Sequence, residues 1–116
     1  LGLIGQITIA LLRSAGCRVV GTDVDPNKFA LASTMGAEAV GSAAAIHEML
    51  SRLSPSGGAD SVIITASTAS SAPLVLASEV ARDRAKVVAV GAVGLKVPRR
   101  EFYEKELELV VSRSYG

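Results

Sequence analysis

The most constraining feature of this chain is a regular alternation of short β-branched runs with helical patterns. Alternation with short connections implies strands that pair in parallel through right-handed helical crossovers. The predicted fold class is therefore α/β, a doubly wound parallel sheet with helices on both faces. Strands are predicted at 18–23, 37–40, 61–65, 86–90 and 107–111, and helices at 3–15, 25–35, 42–53, 69–81 and 101–105.

Glycine and capping residues mark the ends of the first two helices. Gly16 and Gly36 each follow a helical pattern, and glycine most often occupies the left-handed position just past a helix. Asp25 suits an N-cap, since its carboxylate can accept a free backbone N–H. Pro26 suits the first helical position, because its φ is already helical.

A glycine pair lies in the opening segment LGLIGQ, directly ahead of the first helix. Gly2 and Gly5 match the second half of G-x-G-x-x-G, the motif of a dinucleotide-binding βαβ unit. Gly2 would let a pyrophosphate approach the backbone, and Gly5 would allow close helix–strand packing. Leu3 and Ile4 would offer backbone amides at the helix N-terminus. The alternative is a helix that simply packs tightly on a strand.

The place of this motif is unusual, because a doubly wound sheet normally has its first strand ahead of the glycines and at its centre. Neither that strand nor the first glycine of the motif precedes Leu1. We therefore expect a Rossmann-like sheet that lacks its first, central strand. Residues 1–116 would form a single dinucleotide-binding domain and a fragment of a longer chain.

Asp23 supplies a second signal for a dinucleotide. It ends the strand-like run RVVGTD, 18 residues after Gly5, close to the spacing of about 20 at which an acidic residue binds the adenosine ribose. A carboxylate there accepts hydroxyl hydrogen bonds and repels a 2′-phosphate, so it favours NAD over NADP. The alternative is that Asp23 is a turn residue. Lys28, one turn into the second helix, is placed to reach the same ribose, but its position alone favours a solvated helix lysine.

Two loops follow later strands, at the sheet edge where open α/β proteins bind ligands. They are Thr65–Ser67 and Gly91–Gly94, and their small residues would leave room for a flat ring and a ribose. Simple turn chemistry is the alternative for both loops.

Composition excludes several other classes of function. Twelve basic and eleven acidic residues intermix to a net charge of +1, so neither a nucleic-acid footprint nor a polybasic membrane patch is present. One cysteine and one histidine make a self-contained zinc site unexpected and fit a reducing, cytoplasmic compartment. His47 is predicted to lie on a helix surface and Cys17 in the core, while Ser67 lacks the context of an activated nucleophile.

The chain resembles the NAD-binding domain of zinc-type alcohol dehydrogenases, the medium-chain dehydrogenase/reductase family that includes threonine and sorbitol dehydrogenases. Five ordered segments carry the resemblance: GLIGQ, RVVGTDVDPNKFALA, MGAEAV, GGADSVIIT and VVAVGAVG. It implies an oxidoreductase that transfers a hydride between NAD and an alcohol or polyol. The cofactor-binding residues that it implies are Gly2, Leu3, Ile4 and Gly5 for the pyrophosphate turn, Asp23, Val24 and Lys28 for the ribose segment, and Thr65, Ala66, Gly91, Ala92 and Val93 on the nicotinamide side.

The resemblance also implies what would lie elsewhere. Family members carry a separate catalytic domain that supplies zinc ligands and a proton relay, and some members lack the catalytic zinc. We expect no catalytic residue or metal ligand in this chain, which alone should be inactive, and contact with the small-molecule substrate through the missing domain. The family often forms dimers through the last strand, here Leu107–Val111.

Two other functions remain open at this point. A non-catalytic, nucleotide-sensing Rossmann module would carry the same glycines and the same Asp23. An S-adenosylmethionine-binding α/β domain also places glycines after one strand and an acid after the next. Ligand binding separates them from an NAD-dependent dehydrogenase.

Overall fold

The computed structural model describes residues 1–113, in two compact units. The first unit spans Leu1–Leu53 and the second begins at Ser54. Both alternate helices with parallel strands, as the sequence predicts, and the expectation that they form one dinucleotide-binding domain stays a prediction.

The first unit contains a two-stranded parallel sheet and three helices. Strands β1 and β2 pair in register from Val20 opposite Ala39 to Thr22 opposite Gly41. The core is small and aliphatic, and its buried members are Ile9, Val19, Ala32 and Ala37. The elements are α1 (Leu3–Ser14), β1 (Val20–Thr22), a 3-10 turn (Pro26–Lys28), α2 (Phe29–Met35), β2 (Ala39–Gly41) and α3 (Ile46–Leu53).

The predicted ends of the first two helices and the predicted cap at Asp25 are confirmed. Gly16, at φ 86°, ends α1: its N–H donates to the carbonyl of Arg13, and the N–H of Cys17 donates to that of Leu12. Gly36, at φ 121°, ends α2. The side chain of Asp25 accepts from the N–H of Asn27 and caps the 3-10 turn, so local chemistry decides these ends.

The second unit contains a three-stranded parallel sheet in the order β3-β4-β5. Val62, Val87 and Leu109 lie side by side across it. Its buried core consists of Ile64, Leu74, Ala77 and Val87. The elements are β3 (Ala59–Ile64), α4 (Ala72–Val80), β4 (Ala81–Ala89), α5 (Arg99–Lys105) and β5 (Glu108–Val111).

Several details differ from the sequence predictions. The strands form two separate hydrogen-bonded sheets, because no ladder within residues 1–113 joins the pair to the trio. Helix α3 begins at Ile46 instead of residue 42, since 43–45 form a turn. Strand β4 starts at Ala81, which was expected to end a helix, and Arg84 takes a φ of 60° where the pairing register shifts.

Cys17 is also a correction, because its side chain is exposed and not in the core. It directly follows the left-handed Gly16, in the exposed part of the connection between α1 and β1, and the chain becomes buried only at Val19. His47 lies on the exposed surface of α3, as predicted.

Candidate functional site

The N-terminus of α1 forms the first part of the candidate site. Gly2 is its N-cap, in an extended conformation that needs no positive φ, and no side chain caps the helix there. The first intrahelical bond joins the N–H of Gln6 to the carbonyl of Gly2. Helix geometry therefore leaves the amides of Leu3, Ile4 and Gly5 without intrahelical acceptors, as an anion site at a helix N-terminus requires.

Space around this turn matches that role. A Cβ added at Gly2 would meet nothing within 4 Å, so the backbone is open to a ligand. Leu3 and Ile4 are 75% and 53% exposed, whereas Gly5 is buried against the rest of the unit. The two glycines thus occupy the surroundings that the motif predicts, one open and one packed.

Asp23 follows β1 directly, and its carboxylate is partly buried. Oδ2 accepts from the backbone nitrogen of Leu1 at 2.6 Å, and Oδ1 accepts from the N–H of Asp25 at 2.8 Å. The structure therefore brings Asp23 next to the residue that precedes Gly2. The side chain retains 16% exposure, and each oxygen keeps lone-pair capacity for a further donor.

Electrostatics keep this carboxylate ionised. Burial alone would raise the pKa of Asp23 above its ordinary 3.8, but the opposing effects are larger in sum. These effects include the hydrogen bond from the Asp25 N–H and the positive charge of Lys28. The net result is a lowered pKa, which places a full negative charge at this position at neutral pH.

Lys28 and Val24 lie on either side of the Asp25 cap. Lys28 ends the 3-10 turn with an exposed side chain, and its charge acts on Asp23. Val24 is fully exposed. The first unit thus brings together the glycine turn, Asp23 and Lys28, as the spacing in the sequence indicates.

Gln6 is a site residue that the sequence reading missed. Its side chain is 5% exposed, and its Nε2 donates to the carbonyl of Leu1 at 2.9 Å. The sequence contains a pattern that indicates this role. Gln6 directly follows Gly5 and shares a helix face with Ile9, so a polar group lies on the buried side of α1.

In the second unit, the loops after β3 and β4 contact each other closely. The N–H of Thr68 donates to the carbonyl of Ala92 at 2.9 Å, and the N–H of Gly94 donates to that of Ser70 at 3.0 Å. Ser71 Oγ accepts from the N–H of Lys96 at 3.0 Å. Three hydrogen bonds therefore fasten one loop to the other.

Gly91 is needed for this contact. A Cβ there would overlap the carbonyl oxygen of Ala66 and lie 2.9 Å from the carbonyl carbon of Thr65. The missing side chain at this position makes room for the neighbouring loop of the protein. Ala66 and Ala92 are exposed, and Thr65 and Val93 are partly exposed, so a ligand can reach these residues.

No group of three or more His, Cys, Asp or Glu side chains within residues 1–113 is arranged to hold a metal ion. None of the helices in the described part of the chain combines the length and apolarity needed to cross a bilayer.

A parallel α/β fold, a helix with open N-terminal amides and an acidic residue after the next strand define a Rossmann-like nucleotide-binding domain. Comparison with known protein families shows which family this domain belongs to. The zinc-binding dehydrogenase family matches residues 4–116, so the chain belongs to that family. No curated protein matches the chain.

Solved dehydrogenases have the same fold. A protein described as a zinc-binding dehydrogenase from Sinorhizobium meliloti 1021, bound to NADP, is 29% identical with a TM-score of 0.78, over 96% of this chain and 34% of its own. D-arabinose dehydrogenase from Sulfolobus solfataricus has a TM-score of 0.85 at 15% identity, over 95% of this chain and 35% of its own. Galactitol-1-phosphate dehydrogenase from Escherichia coli has a TM-score of 0.76 at 24% identity, over 95% and 34%.

This chain spans about a third of the length of these three proteins. The family match and these neighbours identify the chain as an NAD(P)-binding domain of the zinc-type dehydrogenase family. The predicted family and fold class are therefore confirmed.

Proposed function

We propose that this chain binds NAD, as part of an oxidoreductase that transfers a hydride between the nicotinamide and an alcohol or polyol. The observation that carries the choice of NAD is the ionised Asp23 carboxylate directly after β1, beside the glycine turn. Cytoplasmic location is part of the same proposal, because a single cysteine suits a reducing compartment.

Asp23 would bind the adenosine ribose. Its oxygens each accept one hydrogen bond from the backbone and have capacity left for the two ribose hydroxyls. A 2′-phosphate at the same place would bring a second negative charge against the carboxylate, which costs binding free energy. Lys28, whose charge acts on Asp23, would share the ribose, and the exposed Val24 would contact the cofactor beside it.

The pyrophosphate would lie at the start of α1. Backbone amides of Leu3 and Ile4 have no intrahelical acceptor, and the helix dipole favours negative charge there. Open space at Gly2 permits close approach, while buried Gly5 keeps the helix tight against its neighbours.

The loops after β3 and β4 would hold the nicotinamide end through backbone groups of Thr65, Ala66, Gly91, Ala92 and Val93. The bound nicotinamide supplies the hydride chemistry, and this chain supplies position and electrostatics. Three interloop hydrogen bonds support the proposal, because they keep the backbone groups from moving. Substrate contact and any catalytic zinc would belong to other parts of the protein.

The test is a titration of NADH and NADPH into the protein and into Asp23→Asn. Loss of charged hydrogen bonds to the ribose should weaken NADH binding at least about tenfold. NADPH binding should be unchanged or improved, because the repulsion is removed. Asp25→Asn is the matched control: it alters a carboxylate two residues away that caps the 3-10 turn, so NADH affinity should stay the same.

The outcomes separate the alternatives. Equal NADH affinity in Asp23→Asn would show that the ribose assignment is wrong, and tighter binding of NADPH than of NADH to the unaltered protein would reverse the choice of cofactor. Binding of S-adenosylmethionine but not of NADH would contradict the dehydrogenase assignment and favour an S-adenosylmethionine-binding domain. NADH binding without turnover of any alcohol or polyol by the protein that includes the proposed catalytic domain would favour a nucleotide-sensing module.

We also propose a homodimer through the last strand. Strand β5 pairs only with β4 among the described strands, and Val111 is 62% exposed. Sedimentation analysis of the protein and of Val111→Lys tests this, and an unaltered oligomeric state in the variant would count against it.

A further inference from the structure

Gln6 has an unusual environment for a polar side chain. Only Gln6 and Ser78 are buried polar residues among residues 1–113. The Gln6 Nε2 donates to the carbonyl of Leu1 at 2.9 Å and makes a longer contact, 3.5 Å, to the carbonyl of Lys28. Its Oε1 is buried and has no hydrogen-bond partner in the described part of the chain.

These contacts connect two parts of the candidate site. Leu1 precedes Gly2 in the phosphate turn, and its nitrogen contacts Asp23. Lys28 ends the segment that begins at Asp23, and 22 residues separate it from Gln6. One buried amide therefore joins the turn for the pyrophosphate to the segment for the ribose.

The orientation of this amide is determined by its surroundings. Rotating it by a half turn would point Oε1 at two carbonyl oxygens, which repel it. The side chain is thus held with its NH₂ group toward the two backbone carbonyls and with Oε1 unpaired. An unpaired buried oxygen is destabilising, so an apolar side chain of the same shape would serve the core at least as well.

We propose that Gln6 is a positioning residue for the dinucleotide. Its amide sets the separation between the turn that carries Gly2 and the segment that carries Asp23 and Lys28. A ligand that bridges a pyrophosphate and a ribose then meets both at the correct distance. This inference depends on the proposed function, because it concerns the same cofactor.

The experiment compares NADH with adenosine as probes, in the protein and in Gln6→Met. Methionine keeps the length and volume of the side chain and removes the amide. Affinity for NADH, which reaches both parts, should fall about three- to tenfold. Affinity for adenosine, which reaches only the ribose segment, should be unchanged, and the melting temperature should move by only a few degrees.

A double-mutant cycle distinguishes positioning from general destabilisation. If Gln6 acts through the Asp23 segment, Gln6→Met should weaken NADH binding less in an Asp23→Asn background than in the unaltered protein. Ile9→Val is the matched control, since it loosens the same helix in the core without touching the site. It should lower the melting temperature and leave NADH affinity unchanged.

Equal NADH affinity in Gln6→Met and the unaltered protein would overturn the inference while leaving the proposed function intact. Absence of NADH and NADPH binding in the unaltered protein would instead refute the proposed function. Should Gln6→Met fail to fold, Gln6→Asn keeps an amide that is too short to reach both carbonyls. The same selective loss of NADH is expected there, and failure of both variants to fold would show a purely structural role.

Discussion

A Cβ added at Gly2, in the first unit, would meet no atom within 4 Å, whereas at Gly91, in the second unit, it would overlap the carbonyl oxygen of Ala66. In the sequence the two glycines are alike, because each lies in a short turn at a predicted ligand-binding edge. The first leaves space outside the protein, and the second leaves space that the protein itself fills. Glycine in a binding loop can therefore either leave space for a ligand or allow close packing of the protein itself, and only the surrounding atoms distinguish the two.

The largest expected effect tests this contrast directly. Gly91→Ala should lower the free energy of unfolding by about 3 kcal/mol, because the loops after β3 and β4 must separate to admit a methyl group. Gly2→Ala is the matched control and should cost less than about 1 kcal/mol. Denaturant unfolding measures both, and equal losses would contradict the contrast.

Hydrogen bonds from a lysine side chain also stabilise the C-terminal end of α4 in the second unit. Lys105 Nζ donates to the carbonyls of Ser78, Glu79 and Ala81, each within 2.9 Å. Lys105→Met should cost about 1–2 kcal/mol, since it leaves helix-terminal carbonyls without a cationic donor. Lys96→Met makes the same change at an exposed side chain and should be nearly neutral. An unchanged free energy of unfolding in Lys105→Met would show that these hydrogen bonds do not stabilise the fold.

Helix ends give a third contrast. Helices α1 and α2 end on Gly16 and Gly36, but α5 ends on Glu106 at a φ of 52°. Glu106→Gly should therefore stabilise the protein by about 1 kcal/mol, because glycine adopts this conformation without strain. Glu104→Gly, inside α5, should destabilise it by a similar amount, about 1 kcal/mol. Thermal unfolding of the two variants should show shifts of opposite sign.

The smallest effect concerns surface charge in the first unit. The hydrogen bond from Arg18 is the main cause that lowers the pKa of Glu38 below its ordinary 4.5, with the charges of Arg18 and Arg13 adding to it against burial. A lowered folded pKa means that this contribution to stability is present above about pH 4.5 and is lost as the pH falls through the folded pKa.

Comparison of the protein with Glu38→Gln between pH 7 and pH 3 measures that contribution. The stability difference between them should be constant at neutral pH and disappear in acid. A difference that persists at pH 3 would assign the effect to packing instead of charge.

Much of the candidate site could be predicted because its signals are local. The glycine pair, the Asp25 cap and the carboxylate after a β-branched run each depend on residues within one turn of one another. Cys17 and the start of β4 could not be predicted in this way. The exposure of Cys17 depends on the turn at Gly16, and the start of β4 depends on the pairing of Ala81 with Ala59, which is distant in sequence.

The sequence by itself determined the alternation of helices and parallel strands, the ends of α1 and α2, and the identity of the acidic residue after β1. These follow from backbone preferences and from side chains that act on their own neighbours. Only the tertiary structure decided that Gly91 accommodates Ala66, that the strands form a pair and a trio, and that Gln6 lies between Leu1 and Lys28. Each of those depends on contacts between segments distant in sequence, such as Gly91 with Ala66 and Gln6 with Lys28, which sequence spacing does not encode.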